Sequence, residues 1–118
     1  MSLEKHQELR ERTEQFALRI IRMSQVMSNT RAANVIANQI LRSATSINAN
    51  YRAAGRSRSK AEFIAKIGVV LEEADETVSW LELLGESGIV PASKLGDLLV
   101  EANELVAIFA ASRRTARS

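Results

Sequence analysis

The sequence predicts an all-α fold, an up-down-up-down four-helix bundle. Apolar residues recur every three or four positions along most of the chain. The strict apolar and polar alternation of strands is absent. Proline occurs once and glycine five times, so little interrupts long helices. The 118 residues fit one domain, 1–118. A domain of that size buries roughly two thirds of its unfolded surface.

The first helix is expected over about residues 4–27, with Leu9, Phe16, Ile20, Met23 and Met27 on one stripe and Thr13 filling its gap. "SNTR" ends it, and Asn29 or Thr30 caps the next. The second helix covers about residues 31–54, with Ala33, Ile36, Ile40, Ala44, Ile47, Tyr51 and Ala54 inward. Gly55 reads as its stop. Ser59 and Glu62 form a capping box for the third helix, about residues 60–84, which Gly85 ends. Its inward residues are Phe63, Ile67, Val70, Leu71, Ala74, Val78 and Leu81. Pro91 suits the first turn of a fourth helix, about residues 91–112, because its missing N–H needs no partner there. "RRTARS" is expected to be a frayed basic tail. Short loops between helices of roughly 30 Å make each helix antiparallel to its neighbours. Val35, Leu41, Ile64, Val69, Trp80 and Leu83 fall off the main stripes. Together they predict a second apolar face and a homo-oligomer, against the plainer reading of one wide apolar face.

Charge is uneven. Six basic residues, Arg42, Arg52, Arg56, Arg58, Lys60 and Lys66, lie between 42 and 66 against one acid, Glu62. Nine acids lie between Glu72 and Glu104 against one lysine. The first segment makes a basic patch; equally, it fits the pairing of one subunit's middle with another's later part. There is no cysteine, which removes disulfide and thiolate chemistry. The start, "MSLEKHQELRERTEQF", is too charged for a signal peptide, and no apolar run reaches a membrane span. A soluble cytoplasmic protein is the default expectation.

Enzyme signatures are missing. The single histidine, His6, is expected on the surface, without the orienting acid of a nucleophilic triad. Glu72, Glu73, Asp75 and Glu76 cluster without a histidine, so a solvated or subunit-facing surface is expected rather than a metal site. "AAGRSRSK" is no phosphate loop. No cofactor is expected. Arg52, Arg56, Arg58 and Lys60, with Arg42 in support, form the best candidate for RNA or DNA phosphates, aided by backbone N–H groups at the start of the third helix. Tyr51 is the only nearby ring and sits in a core position, so base-specific reading has no support. Asn50 either ties the second helix to a neighbour, with Glu76 as partner, or marks a ligand contact.

"QILRSATSINANYRAAGRSRSKAEF" resembles the signature of the bacterial four-helix proteins called 23S ribosomal RNA intervening-sequence, or S23-like, proteins. Gln39, Arg42, Ser46, Ile47, Ala49, Asn50, Arg58, Ser59, Glu62 and Phe63 match that pattern in place, and Glu76 matches a glutamate of the family's third helix. The commoner form continues Ile-Ala-Glu-Gly after the asparagine; here Tyr51, Arg52, Ala53 and Ala54 stand instead, losing an acid and gaining a base. The resemblance implies a barrel-like homo-pentamer. It implies no enzymatic activity and no cofactor. Some such proteins are encoded within insertions in ribosomal RNA genes, and relatives are accessory proteins of retroelement mutagenesis systems; nucleic-acid binding is suspected for the class. The expected function is therefore a non-enzymatic oligomeric accessory protein that binds nucleic-acid backbone. The alternative is a structural or protein-interaction scaffold with an unidentified protein partner.

Overall fold

A computed structural model describes residues 3–118. Four helices follow in order: α1 (Leu3–Gln25), α2 (Arg31–Ala54), α3 (Lys60–Glu86) and α4 (Gly96–Arg117), with a 3₁₀ turn at Ala92–Lys94 before the last. There is no strand among the described residues, and none of these helices is long and apolar enough to cross a membrane. Together they form a rod of 44 × 21 × 21 Å. Cross-links fix the antiparallel order. His6 of α1 meets Tyr51 of α2, Ser43 of α2 meets Thr77 of α3, and Arg12 of α1 reaches Glu101 of α4. The start of α1, the end of α2, the start of α3 and the end of α4 therefore share one end of the rod.

The core follows the 3.6-residue pattern. Phe16, Ile20, Ile40, Ile47, Tyr51, Ile67, Leu81, Leu105 and Phe109 are almost wholly removed from water. The expected stripes are largely inside; Ile36, Phe63, Leu71 and Val78 pack at the margin of the core, half-buried. Three polar side chains are also buried: Thr13, Ser43 and Thr77. Thr13 donates to the Arg10 carbonyl at 2.8 Å and accepts from Asn48 at 3.1 Å, which satisfies it between α1 and α2. The Ser43 and Thr77 hydroxyls lie 2.7 Å apart between α2 and α3; Thr77 donates to the Glu73 carbonyl at 2.8 Å, so Ser43 donates to Thr77, with the Ile40 carbonyl at 3.3 Å as its alternative acceptor. Buried hydroxyls that find partners cost the fold little.

Several expected boundaries move. Thr30, not Asn29, caps α2 by accepting from the Ala33 N–H. The first helix ends at Gln25 rather than 27, because the Val26 and Met27 N–H groups bond three residues back and tighten the chain into a turn. Gly55 does end α2, but in right-handed geometry, with φ −65°. Gly85 is helical and α3 runs on to Glu86; the left-handed residue is Gly88, φ 76°, after which the Val90 N–H returns to the Leu84 carbonyl. Pro91 does not open α4. Its ψ of 134° is extended, the 3₁₀ turn intervenes, and α4 begins at Gly96. At the far end, α4 continues helical to Arg117, well past 112, so the basic tail is a helix terminus and not frayed.

The four seams are unequal. The α2–α3 and α3–α4 seams are closely packed, whereas α1 and α4 touch sparsely. A cleft of about 420 Å³, lined by Leu9, Phe63, Ile108 and Ala111 among others, lies between them. Arg12 clasps this seam, bonding both carboxylate oxygens of Glu101 at 2.6 and 3.1 Å and Glu104 at 2.9 Å. The bidentate geometry holds the guanidinium proton more tightly than usual, chiefly through the Glu101 hydrogen bond.

Candidate functional site

The basic patch is only partly as the sequence suggests. Arg52, Arg56 and Arg58 are exposed at the α2–α3 junction and make no ion pair or hydrogen bond among the described residues. Lys60 is exposed beside them and donates to the Ser118 carbonyl at 3.3 Å. That contact brings the end of α4 to the junction. Arg42 does not join the patch. It lies about three turns back along α2, where its guanidinium bonds Glu73 at 2.9 Å and also Glu76. Its charge is engaged within the chain, and it holds its proton more firmly for it, first through Glu76.

Asn50 is not tied to Glu76. Its amide donates to the Ser46 carbonyl at 3.0 Å and the Ser46 hydroxyl at 2.8 Å, one turn back on the same helix. Glu76 was taken by Arg42, whose long side chain spans the helix pair where an asparagine would fall short. At the start of α3, the Ser59 hydroxyl accepts from the Glu62 N–H at 3.1 Å, whereas the Glu62 carboxylate makes no return bond. Half of the capping box is formed.

His6 is the clearest revision. It is half-buried, not a free surface residue, and stacks on Tyr51 with centroids 4.7 Å apart. Its Nδ1 lies 3.0 Å from the Tyr51 hydroxyl oxygen. The Tyr51 ring is wholly buried and meets Phe109 at 5.3 Å, and burial pushes its phenol up to about 12. Burial, with a lesser push from Arg10, lowers the His6 pKa below 6.5. Gly55 makes the arrangement fit, since a Cβ there would stand 2.1 Å from His6 Nε2. The pairing spans 45 positions of sequence, which no local pattern reveals.

The sequence reading also missed the contribution of α4. Arg113, Arg114 and Arg117 lie on its last turns. Five basic residues from Arg52 to Lys66 and three from Arg113 to Arg117 thus share that end with Glu62 and, from the start of α1, with Glu4, Lys5 and Glu8, which leaves it cationic. Helicity past 112 was the missing signal, and the absence of any glycine or proline after Pro91 other than Gly96 was available to suggest it.

A second surface lies on the side of the α2–α3 pair. Val69, Glu73, Glu76, Trp80 and Leu83 recur on α3 at alternating four- and three-residue steps, the spacing of a helix-packing seam. Val69 and Leu83 are 41% and 45% exposed, and Val35 on α2 is 55% exposed. The Arg42 ion pairs sit within this strip.

An antiparallel four-helix bundle with one cationic end and an outward apolar strip places this chain in a class of small all-helical proteins. The chain belongs to the 23S rRNA-intervening sequence protein family, whose model matches residues 5–111. A crystal structure of a protein with unknown function from the S23 ribosomal protein family of Bacteroides thetaiotaomicron is similar, with 33% identity and a TM-score of 0.82. The alignment covers 88% of this chain and 96% of that one. Among curated proteins, none matches.

Proposed function

We propose that this protein is a non-enzymatic, oligomeric accessory protein that binds the phosphate backbone of RNA or DNA through the α2–α3 junction. The observation that carries this is the contrast between Arg42, neutralised by Glu73 and Glu76, and Arg52, Arg56 and Arg58, which have no acid partner among the described residues. Unpaired guanidinium groups on a rigid helix junction suit phosphate oxygens. The test is a salt titration of binding to mixed RNA and DNA, wild type beside a variant with Arg52, Arg56, Arg58 and Lys60 changed to Ala. Wild-type affinity falls steeply with salt, and the variant binds weakly with a shallower slope. Equal binding by the folded variant overturns the site.

Self-assembly belongs to the same proposal. The exposed Val35, Val69 and Leu83, with half-buried Trp80 among them, support a second copy as the strip's cover, and the family resemblance suggests a pentamer. The same strip supports the rival reading, a scaffold for an unidentified protein without nucleic-acid binding. Arg42→Glu, which places three carboxylates together in the strip, lowers the mass seen by light scattering under self-assembly. A monomeric wild type refutes the oligomer and favours the scaffold.

A further inference from the structure

The cationic end has two sides, and its aromatic rings are withheld from solvent. Arg52 and Arg56 stand on the last turn of α2 and just beyond it, and Arg114 and Arg117 on the last turn of α4. In this chain order α2 and α4 occupy diagonal corners of the bundle, with the Tyr51–Phe109 contact between them. Adjacent helix axes pack 8–10 Å apart, which puts diagonal axes roughly 13 Å apart. The end as a whole is 21 Å across. Long arginine side chains rooted on axes that far apart can reach the two phosphate rows that flank the roughly 12 Å major groove of a B-form duplex, with Lys60 and the Ser118 carbonyl in contact between them.

Arg113 strengthens the α4 side. Its guanidinium lies against α3, with Cζ and Nε 3.8 Å from where a side chain on Gly68 would begin. Nε is buried there, and the side chain has no acid partner among the described residues. Packing thus fixes this cation beside Arg114 and Arg117 without neutralising it. Single strands are held differently, by stacking successive bases on exposed rings. Tyr51, Phe16 and Phe109 are fully buried, and Phe63 packs half-buried against the core. The His6 ring is half-buried and already stacked on Tyr51, so the end offers phosphate contacts and no fully exposed ring among the described residues.

We infer that the nucleic acid bound is double-stranded, and that the last turn of α4 contacts one of its strands while the α2–α3 junction contacts the other. This rests on the nucleic-acid reading above, and its test separates the two. A mixed-sequence DNA duplex and each of its separated strands are titrated with full-length protein over a range of salt. Arg114→Gln/Arg117→Gln is measured beside Arg52→Gln/Arg56→Gln/Arg58→Gln. Both α4 residues are exposed, so this variant keeps its fold, and circular dichroism checks it; Arg113→Gln is added as a third variant.

Wild type is expected to bind the duplex about tenfold more tightly than either strand. The α4 double variant should lower the slope of log affinity against log salt by about two, and the triple junction variant by about three. An α4 variant with an unchanged slope beside a weakened junction variant overturns the two-sided site and leaves phosphate binding standing. Equal or tighter binding of single strands overturns the duplex assignment alone. Wild type that binds neither form overturns both readings.

Discussion

His6 and Gly55 form a pair of residues whose choice makes sense only together. In the unfolded chain the imidazole titrates near 6.5, and in the fold burial and Arg10 lower that value. Below about pH 6.5 the unfolded chain takes up the proton more readily, so stability falls as the pH drops from there towards the folded pKa; above it His6 is neutral in both states and adds no slope. Thermal melts across about pH 5 to 8 should show this acid-side loss in wild type and a smaller one in His6→Gln; an identical loss would falsify the assignment. Gly55 offers a second check. Its backbone is right-handed, so alanine there should gain about 0.4–1 kcal/mol. In wild type the new methyl meets the His6 ring at 2.1 Å and displaces it from Tyr51. The gain should therefore appear in a His6→Ala background and shrink or reverse with His6 present, as denaturant titration of the four variants measures. Tyr51→Phe keeps the ring contacts and loses the His6 bond, at about 1 kcal/mol, whereas Tyr51→Ala opens a cavity costing about 3–5 kcal/mol.

Among elements, the α2–α3 pair shows both the reach of the sequence pattern and its limit. Ile40, Ala44, Ile47 and Tyr51 were legible as the inner stripe of α2 because apolar burial imposes a 3.6-residue period, and all four are buried. Ser43 was not legible as an interior residue, since its chemistry places it outside unless a partner waits across the seam, and Thr77 is 34 positions away. The same blindness to long-range pairing made Arg42 look like part of the basic patch. Sequence shows that a charge is present; only the fold shows Glu73 and Glu76 opposite it. A double-mutant cycle can check the hydroxyl pair. Ser43→Ala should cost about 1 kcal/mol, and adding Thr77→Val should cost less than its effect alone, because removing both partners leaves no orphan. Additive losses argue against coupling. At the end of α4 the error ran the other way, with a basic composition taken for fraying although nothing in Ser112–Ser118 breaks a helix.

For the whole molecule, the up-down topology is what gathers basic segments far apart in sequence at one end, and that end was only half legible. The junction residues announced themselves as a cluster; those of α4 joined it through the fold. The unequal seams have a consequence for the order in which the molecule opens. α2, α3 and α4 form a tightly joined unit, while α1 leans on α2 and is fastened to α4 chiefly through Arg12. Native-state amide exchange should find α1 leaving first, as a partial unfolding event of lower free energy than global denaturation. Arg12→Gln should speed exchange along α1 while leaving the slowest amides of α3 nearly unchanged. Uniform acceleration in every helix would mean that the bundle instead opens as a single cooperative body. If α1 does leave alone, it uncovers Tyr51 and the lining of the α1–α4 cleft without dismantling the other three helices, so the protein carries a partly open form within its native ensemble.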